Sequence, residues 1–187
     1  MLEVLGKRVK EGMNIQGVPT SKKTERLGRT LGIPLTPINE NTCIDVAIDG
    51  ADEIAEGQLV KGGGGSLVRE KIIDAYAGRL IIIADSTKVV PQLGAFPLPV
   101  EVVPFGWQMT AAVLESLGCR VQLRTQQNEI FLSDNGNYIV DCHFTSISDP
   151  AKLHAQINQI AGVVENGLFI NMATDIFVGN RIIKGGN

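Results

Sequence analysis

Leu2, Leu5 and Val9 recur at helical spacing over residues 1–12, and Gly12 is placed to stop that helix. Asn14 to Val18 then reads as a short strand. Thr20 or Ser21 can cap a helix that carries Leu27 and Leu31, with Gly32 and Pro34 closing it. Cys43–Ile48 predicts a strand ending at Asp49, and Gln58–Lys61 a strand ending at four consecutive glycines. A helix is expected over Ser66–Tyr76. Arg79–Asp85 is a nearly unbroken apolar strand of the kind covered on both faces. This alternation predicts a largely parallel sheet with helices on both sides.

The rhythm changes after Phe96-Pro97-Leu98-Pro99. Val100–Val103 reads as a strand, Trp107–Leu117 as a helix ending at Gly118, and Cys119–Arg124 as a strand. Glu129–Phe144 reads as a hairpin around Asp134-Asn135-Gly136-Asn137, a strong turn signal. Asp149-Pro150 opens a helix, with Asp at the cap and Pro in the first turn. Val163–Ile170 is a further strand. The tail, with Asp175–Val178 and Ile182–Lys184, is expected to return to the first sheet. The fold class is therefore α/β: a Rossmann-like, mostly parallel sheet with a small inserted α+β domain of ferredoxin-like pattern. The expected domains are 1–97 with 165–187, and 98–164.

Composition narrows the function. The chain has 187 residues, 44% of them hydrophobic and 20% charged, with a net charge of −3. A mildly acidic chain without a basic stripe argues against nucleic acid or an anionic membrane as partner. Cys43, Cys119 and Cys142 are scattered, and His143 and His154 have no cysteine at ligand spacing, so neither a disulfide framework nor a metal site is expected. The first residues lack a signal-peptide apolar run, and Leu80–Ala84 is too short to span a bilayer. The expected compartment is the cytoplasm.

The chemistry concentrates in residues 49–71. Asp49-Gly50-Ala51-Asp52-Glu53 is followed by Lys61-Gly62-Gly63-Gly64-Gly65-Ser66 and then by Arg69-Glu70-Lys71. Such a set suits proton transfer on a small anionic substrate. Ligands of open α/β sheets bind beyond the carboxyl ends of the strands, where Asp49, Lys61 and Asp85 fall. Asp49 with Gly50 also fits an ordinary turn. Four glycines in a row weaken folding, so the loop is either merely flexible or obliged to bring backbone N–H groups close to a ligand. It matches neither GxxxxGK[ST] nor GxGxxG. Glu70, one turn after Ser66, can project back to the loop or simply decorate the helix start. Lys88, after Asp85-Ser86-Thr87, is either an anion anchor or a solvated lysine.

Together these segments resemble ribose-5-phosphate isomerase, type A. The matching stretches are Asp-Gly-Ala-Asp-Glu at 49–53, Lys-Gly-Gly-Gly at 61–64, Arg-Glu-Lys at 69–71, Ile-Ala-Asp-Ser-Thr-Lys at 83–88 and Phe-Pro-Leu-Pro-Val-Glu-Val at 96–102. Asp134-Asn135-Gly136-Asn137, Gly162-Val163-Val164 and Gly167-Leu168-Phe169 extend the match. The resemblance implies interconversion of ribose 5-phosphate and ribulose 5-phosphate through an enediolate, in the non-oxidative pentose phosphate pathway. It implies Glu70 as general base, Lys61 as oxyanion stabiliser, and Asp49 and Asp52 as handlers of hydroxyl protons. Gly62, Gly63, Gly64, Lys88 and the hydroxyl pair Thr20-Ser21 would bind substrate. No metal or organic cofactor is implied, and a homodimer or homotetramer is. The resemblance also implies an initial helix, a strand and a Gly-Thr-Ser phosphate loop. Residue 1 falls in the helix after that loop, so part of the phosphate site is expected to be absent. The alternative readings are a sugar-phosphate sensor and a catalytically impaired truncated isomerase.

Overall fold

A computed structural model describes residues 1–185, and the chain divides into two compact units, 1–43 and 44–187. In the first unit, α1 (Leu2–Lys10) and α2 (Lys22–Thr30) follow the apolar periodicity. Ser21 is the cap of α2: its Oγ accepts from the Thr24 amide at 3.0 Å. The strand expected at Asn14–Val18 does not form. Only Gly17 pairs, with Leu35, through the Gly17 amide to Pro34 O and the Thr36 amide to Gly17 O. Pro19, Pro34 and Pro37 lack the N–H groups a longer ladder needs.

The second unit begins with β1 (Ala47–Asp49), β2 (Glu53–Ala55), β3 (Gln58–Val60), α3 (Leu67–Tyr76) and β4 (Leu80–Ala84). It continues through β5 (Leu98–Val102), α4 (Trp107–Glu115), β6 (Arg120–Leu123), β7 (Thr125–Gln126), β8 (Glu129–Ile130) and β9 (Tyr138–His143). Then come α5 (Pro150–Asn158), β10 (Val163–Asn166), β11 (Leu168–Phe169), β12 (Asp175–Val178) and β13 (Arg181–Lys184).

Four sheets result. The first has the order β1-β4-β12-β13, parallel across β1, β4 and β12, with β13 antiparallel at the edge. The second, β10-β5-β9-β6, is antiparallel throughout. The third, β11-β3-β2, is a small antiparallel sheet, and β7 pairs with β8. The class is α/β, and the tail joins the first sheet. Among the described residues no helix is long and apolar enough to cross a membrane.

Three local expectations need correction. In β4, Leu80 and Ile82 are buried but Ile83 is 52% exposed, so the strand buries one face rather than two. The run 163–170 is two strands in different sheets, because the Gly167 backbone lies against Pro99 and the Lys61 carbonyl, where a Cβ would clash. The hairpin at 129–144 is cut short: Leu132 bridges Tyr138 antiparallel across the turn, but beyond that β8 pairs with β7 while β9 lies between β5 and β6. The Asp-Asn-Gly-Asn turn also answers to a buried acid. Glu101 Oε1, on β5, accepts from Ser133 Oγ at 2.9 Å, Asn135 Nδ2 at 3.1 Å and Asn137 Nδ2 at 2.8 Å. Buried carboxylates demand such donors. The same turn holds α3, as Arg69 donates to Asn135 Oδ1 at 2.8 Å and to Asp134 O at 2.9 Å.

The main core fills the space around the antiparallel sheet, with Leu98, Val100, Val102, Val140, Cys142, Leu114, Leu153 and Ile157 among its buried members. Alternation along β5 and β9 and the apolar stripes of α4 and α5 supply these positions.

Candidate active site

Lys61 follows β3 directly, and β3 belongs to the small antiparallel sheet rather than to the parallel one. Asp49 ends β1 of the parallel sheet. The two sheets meet at these residues. Lys61 Nζ donates to Asp49 Oδ2 at 2.5 Å and to the Gly50 carbonyl at 2.7 Å. Glu70, in the first turn of α3, places Oε2 3.4 Å from the same ammonium. Below it, Lys61 Nζ stands 5.2 Å from the centroid of Phe169. Lys61 is only 2% exposed. A buried ammonium persists only where opposite charge and acceptors surround it. Asp49 is itself aimed by the Gly50 amide, which donates to its Oδ1 at 2.8 Å.

Asp52 faces the glycine loop and accepts from the Gly63 amide at 2.7 Å. The glycines have separate reasons. Gly62 has φ +104° and Gly65 φ +85°, conformations that L-residues avoid. A Cβ on Gly63 would come within 2.7 Å of Asp52 Oδ1. A Cβ on Gly64 would meet nothing within 4 Å, and its φ is not positive. Nothing among the described residues requires glycine at 64.

The electrostatics follow from crowding. Burial raises Glu70 above the usual carboxylate range, with Asp49 and Asp52 adding to the effect and Lys61 opposing it. Burial alone would lower Lys61, but Glu70 and Asp49 outweigh it and the net shift is upward. Asp74, one turn beyond Glu70, is pushed up to about 7 by burial, with Lys61 opposing and Asp49 and Glu70 adding. Its Oδ2 is buried with no hydrogen-bond partner among the described residues.

Asp85 ends beyond β4, where its carboxylate caps a single 3₁₀ turn, Ser86–Lys88, by accepting from the Thr87 amide at 2.9 Å and from the Thr87 hydroxyl. That turn sets Lys88 on a cavity of about 470 Å³, lined also by Ala51 of the acidic run. The structure thus gathers Asp49, Asp52, Lys61, Glu70 and the glycine loop, with Lys88 on an adjoining hollow. Thr20 and Ser21 belong to the first unit, where the Ser21 hydroxyl also donates to Thr24 Oγ1 at 2.9 Å. Asp74 and Arg124 escaped the sequence reading. Arg124 donates to Gly62 O at 2.9 Å and Gly63 O at 3.1 Å from β6's far end. Nothing in its local pattern marks it, whereas an acid four residues after Glu70 gives a same-face signal.

A sheet-end lysine held between carboxylates beside a glycine loop is an arrangement suited to moving protons on a small, oxygen-rich anion. The family model for ribose 5-phosphate isomerase A (phosphoriboisomerase A) matches residues 16–182. Ribose-5-phosphate isomerase A of Bacillus mycoides is 50% identical over 182 residues, covering 96% of this chain and 82% of that protein. The Gloeobacter violaceus protein of the same name is 52% identical over 183 residues, covering 96% and 80%. Among solved structures, ribose 5-phosphate isomerase from Plasmodium falciparum superposes with a TM-score of 0.93 at 37% identity, covering 97% of this chain and 83% of that one. A D-ribose-5-phosphate isomerase in complex with phospho-erythronic acid also gives 0.93, at 36% identity, covering 98% and 84%. The chain belongs to the ribose 5-phosphate isomerase A family.

Proposed function

We propose that this protein interconverts ribose 5-phosphate and ribulose 5-phosphate, within the non-oxidative pentose phosphate pathway, by proton transfer through an enediolate. The observation that carries this reading is the Lys61 ammonium held between Asp49 and Glu70 at the mouth of the glycine loop. Glu70 takes the proton from the carbon beside the carbonyl, and the electron pair moves onto the carbonyl oxygen. Lys61 and loop amides stabilise that oxyanion. Asp49 and Asp52 move the hydroxyl proton from one oxygen of the enediolate to the other. Glu70 then returns its proton to the neighbouring carbon. A carboxylate raised by burial is a stronger base than a solvated one, which suits Glu70 to the step.

Lys88 and its hollow receive the phosphate, a placement supported by Lys88 lining that space; Asp85 lines it too, with one carboxylate oxygen engaged by Thr87. Within the second unit, Gly62, Gly63 and Gly64 complete the proposed substrate contacts. Gly64 supports this most directly, because only a close neighbour outside the chain would exclude a side chain there. The domain division we propose is 1–97 with 165–187 as the catalytic part and 98–164 as the α+β part. The proposed location is the cytoplasm. A homodimer or homotetramer is the proposed assembly, for which Phe105, 92% exposed, and Met109 on α4 offer apolar surface.

Glu70→Gln tests the chemistry. Turnover of ribose 5-phosphate is expected to fall on the order of 100-fold or more, and exchange of the substrate carbon-bound proton with D₂O to fall with it. Normal turnover would remove Glu70 from the base role, and a wild-type protein that binds the sugar without turning it over would favour a sensor. Gly64→Ala is expected to leave the melting temperature unchanged while raising KM. An unchanged KM would show that no substrate atom approaches that amide.

A further inference from the structure

Arg124 reaches the glycine loop from the end of β6, and each of its contacts is defined. Its Nε donates to Asp141 Oδ2 at 2.9 Å and its second terminal nitrogen to Asp141 Oδ1, a two-pronged pair with a carboxylate on β9. That pair fixes the guanidinium plane. The remaining nitrogen donates to two carbonyls in succession, Gly62 O at 2.9 Å and Gly63 O at 3.1 Å. Phe131 lies 6.0 Å from the guanidinium and closes on Gly65, where a Cβ would come within 2.3 Å of its ring.

The direction of those carbonyls decides what the loop offers. In a trans peptide the C=O and the following N–H point opposite ways. With Gly62 O and Gly63 O converging on one nitrogen, the amides of Gly63 and Gly64 must point away from it. The Gly63 amide does so, meeting Asp52 Oδ2 at 2.7 Å. The Gly64 amide forms no hydrogen bond among the described residues, and the residue is exposed. Successive amides turned to one side make an anion-binding concavity. A cation on their carbonyls also makes them better donors.

We propose that Arg124, braced by Asp141, is a positioning residue for the isomerisation, aiming the amides of Gly63 at Asp52 and of Gly64 at an oxygen of the substrate's reacting end. The proposal rests on the isomerase reading above. It makes the antiparallel sheet part of the catalytic apparatus, because β6 and β9 supply the brace.

Arg124→Lys keeps the charge but cannot hold a carboxylate with two prongs and two carbonyls at once. Its expected effect is a fall in kcat on the order of tenfold or more, with KM for ribose 5-phosphate changed much less. The second measurement is the amide spectrum of ¹⁵N-labelled protein titrated with phospho-erythronic acid. In wild type the Gly64 amide should shift on saturation, and in Arg124→Lys that shift should shrink. A folded Arg124→Lys with wild-type kcat would overturn the proposal. So would a wild-type Gly64 amide that stays still in the saturated complex, a result independent of whether the variant folds. Asp141→Asn should lower kcat in the same sense by loosening the brace. If wild type turns over ribose 5-phosphate but Arg124→Lys is unimpaired, only the positioning role fails. If wild type is inactive, the isomerase reading fails.

Discussion

Two lysines press on the same aromatic ring and have opposite characters. Lys61, after β3, stands 5.2 Å from the Phe169 centroid; Lys71, on α3, stands 4.8 Å from it. Both are buried. Lys71 donates to Glu165 Oε1 at 2.9 Å, Asn166 O at 2.6 Å and Leu168 O at 2.9 Å, one acceptor for each of its three protons. Burial lowers its pKa, and Glu165 offsets that only in part. Lys61 has one carboxylate and one carbonyl in hydrogen-bond reach, a second carboxylate at 3.4 Å, and a pKa raised by the acids around it. A buried lysine with every proton committed fastens a loop. One with surplus negative charge beside it can turn toward a new oxyanion as that charge develops.

The comparison breaks most sharply on removing each ammonium in turn. Lys61→Met should lower kcat on the order of 10²–10³-fold, the scale of losing a preorganised oxyanion donor. A steady-state assay on folded protein checks this, and a loss under tenfold would deny Lys61 that role. Lys71→Met should act on folding instead. It strands Glu165 and two strand-end carbonyls around residues 166–168. The cost should be roughly 2–3 kcal/mol, below a fully buried pair because Glu165 remains partly exposed. Chemical denaturation measures it, and kcat per folded molecule should stay within a few-fold of wild type. If Lys71→Met abolishes turnover without destabilising the fold, the two lysines are not divided in this way.

Sequence reading reached Lys61 and left Lys71 as a flank of Glu70, and the reason is general. Asp49, Lys61 and Glu70 each sit where a strand ends or a helix begins, so local pattern places them at one end of the fold. What pattern could not give is that β3 leaves the parallel sheet and pairs with β2 and β11. A strand of three residues, such as Glu53–Ala55, carries too little periodicity to be seen. Glu53 itself reads as one more site acid, yet it is buried and accepts from the Gly94 and Phe96 amides at 2.7 Å each. Arg124 was invisible because its partners, Gly62 and Gly63, are remote in the chain, and the Asp134-Asn135-Gly136-Asn137 turn closes on a single bridge, Leu132 with Tyr138, while its asparagines serve Glu101, a partner no local motif reveals.

The smallest expected effect belongs to Asp74, and it sharpens the contrast by asking how much negative charge Lys61 needs. Asp74 shares a helix face with Glu70, is 5% exposed, and keeps one oxygen without a donor among the described residues. Its folded pKa, pushed up to about 7, lies above that of an unfolded Asp. The folded state therefore holds this proton more tightly. The stabilisation is fully present below the unfolded value and is lost as pH rises through about 7. Glu70, also raised, contributes in the same direction. Lys61, raised as a base, loses its contribution only at pH above the ordinary lysine range. Asp74→Asn removes the buried charge but keeps the shape. Its melting temperature should rise relative to wild type as pH goes from 5 to 8.5, by more than roughly 2–4 °C, the shift per kcal/mol expected at this length. A wild-type melting curve parallel to that of Asp74→Asn across this range would mean that folded Asp74 is ionised throughout it, as an unfolded Asp is. Asp74 would then be a third standing carboxylate, beside Asp49 and Glu70, in the negative charge around Lys61.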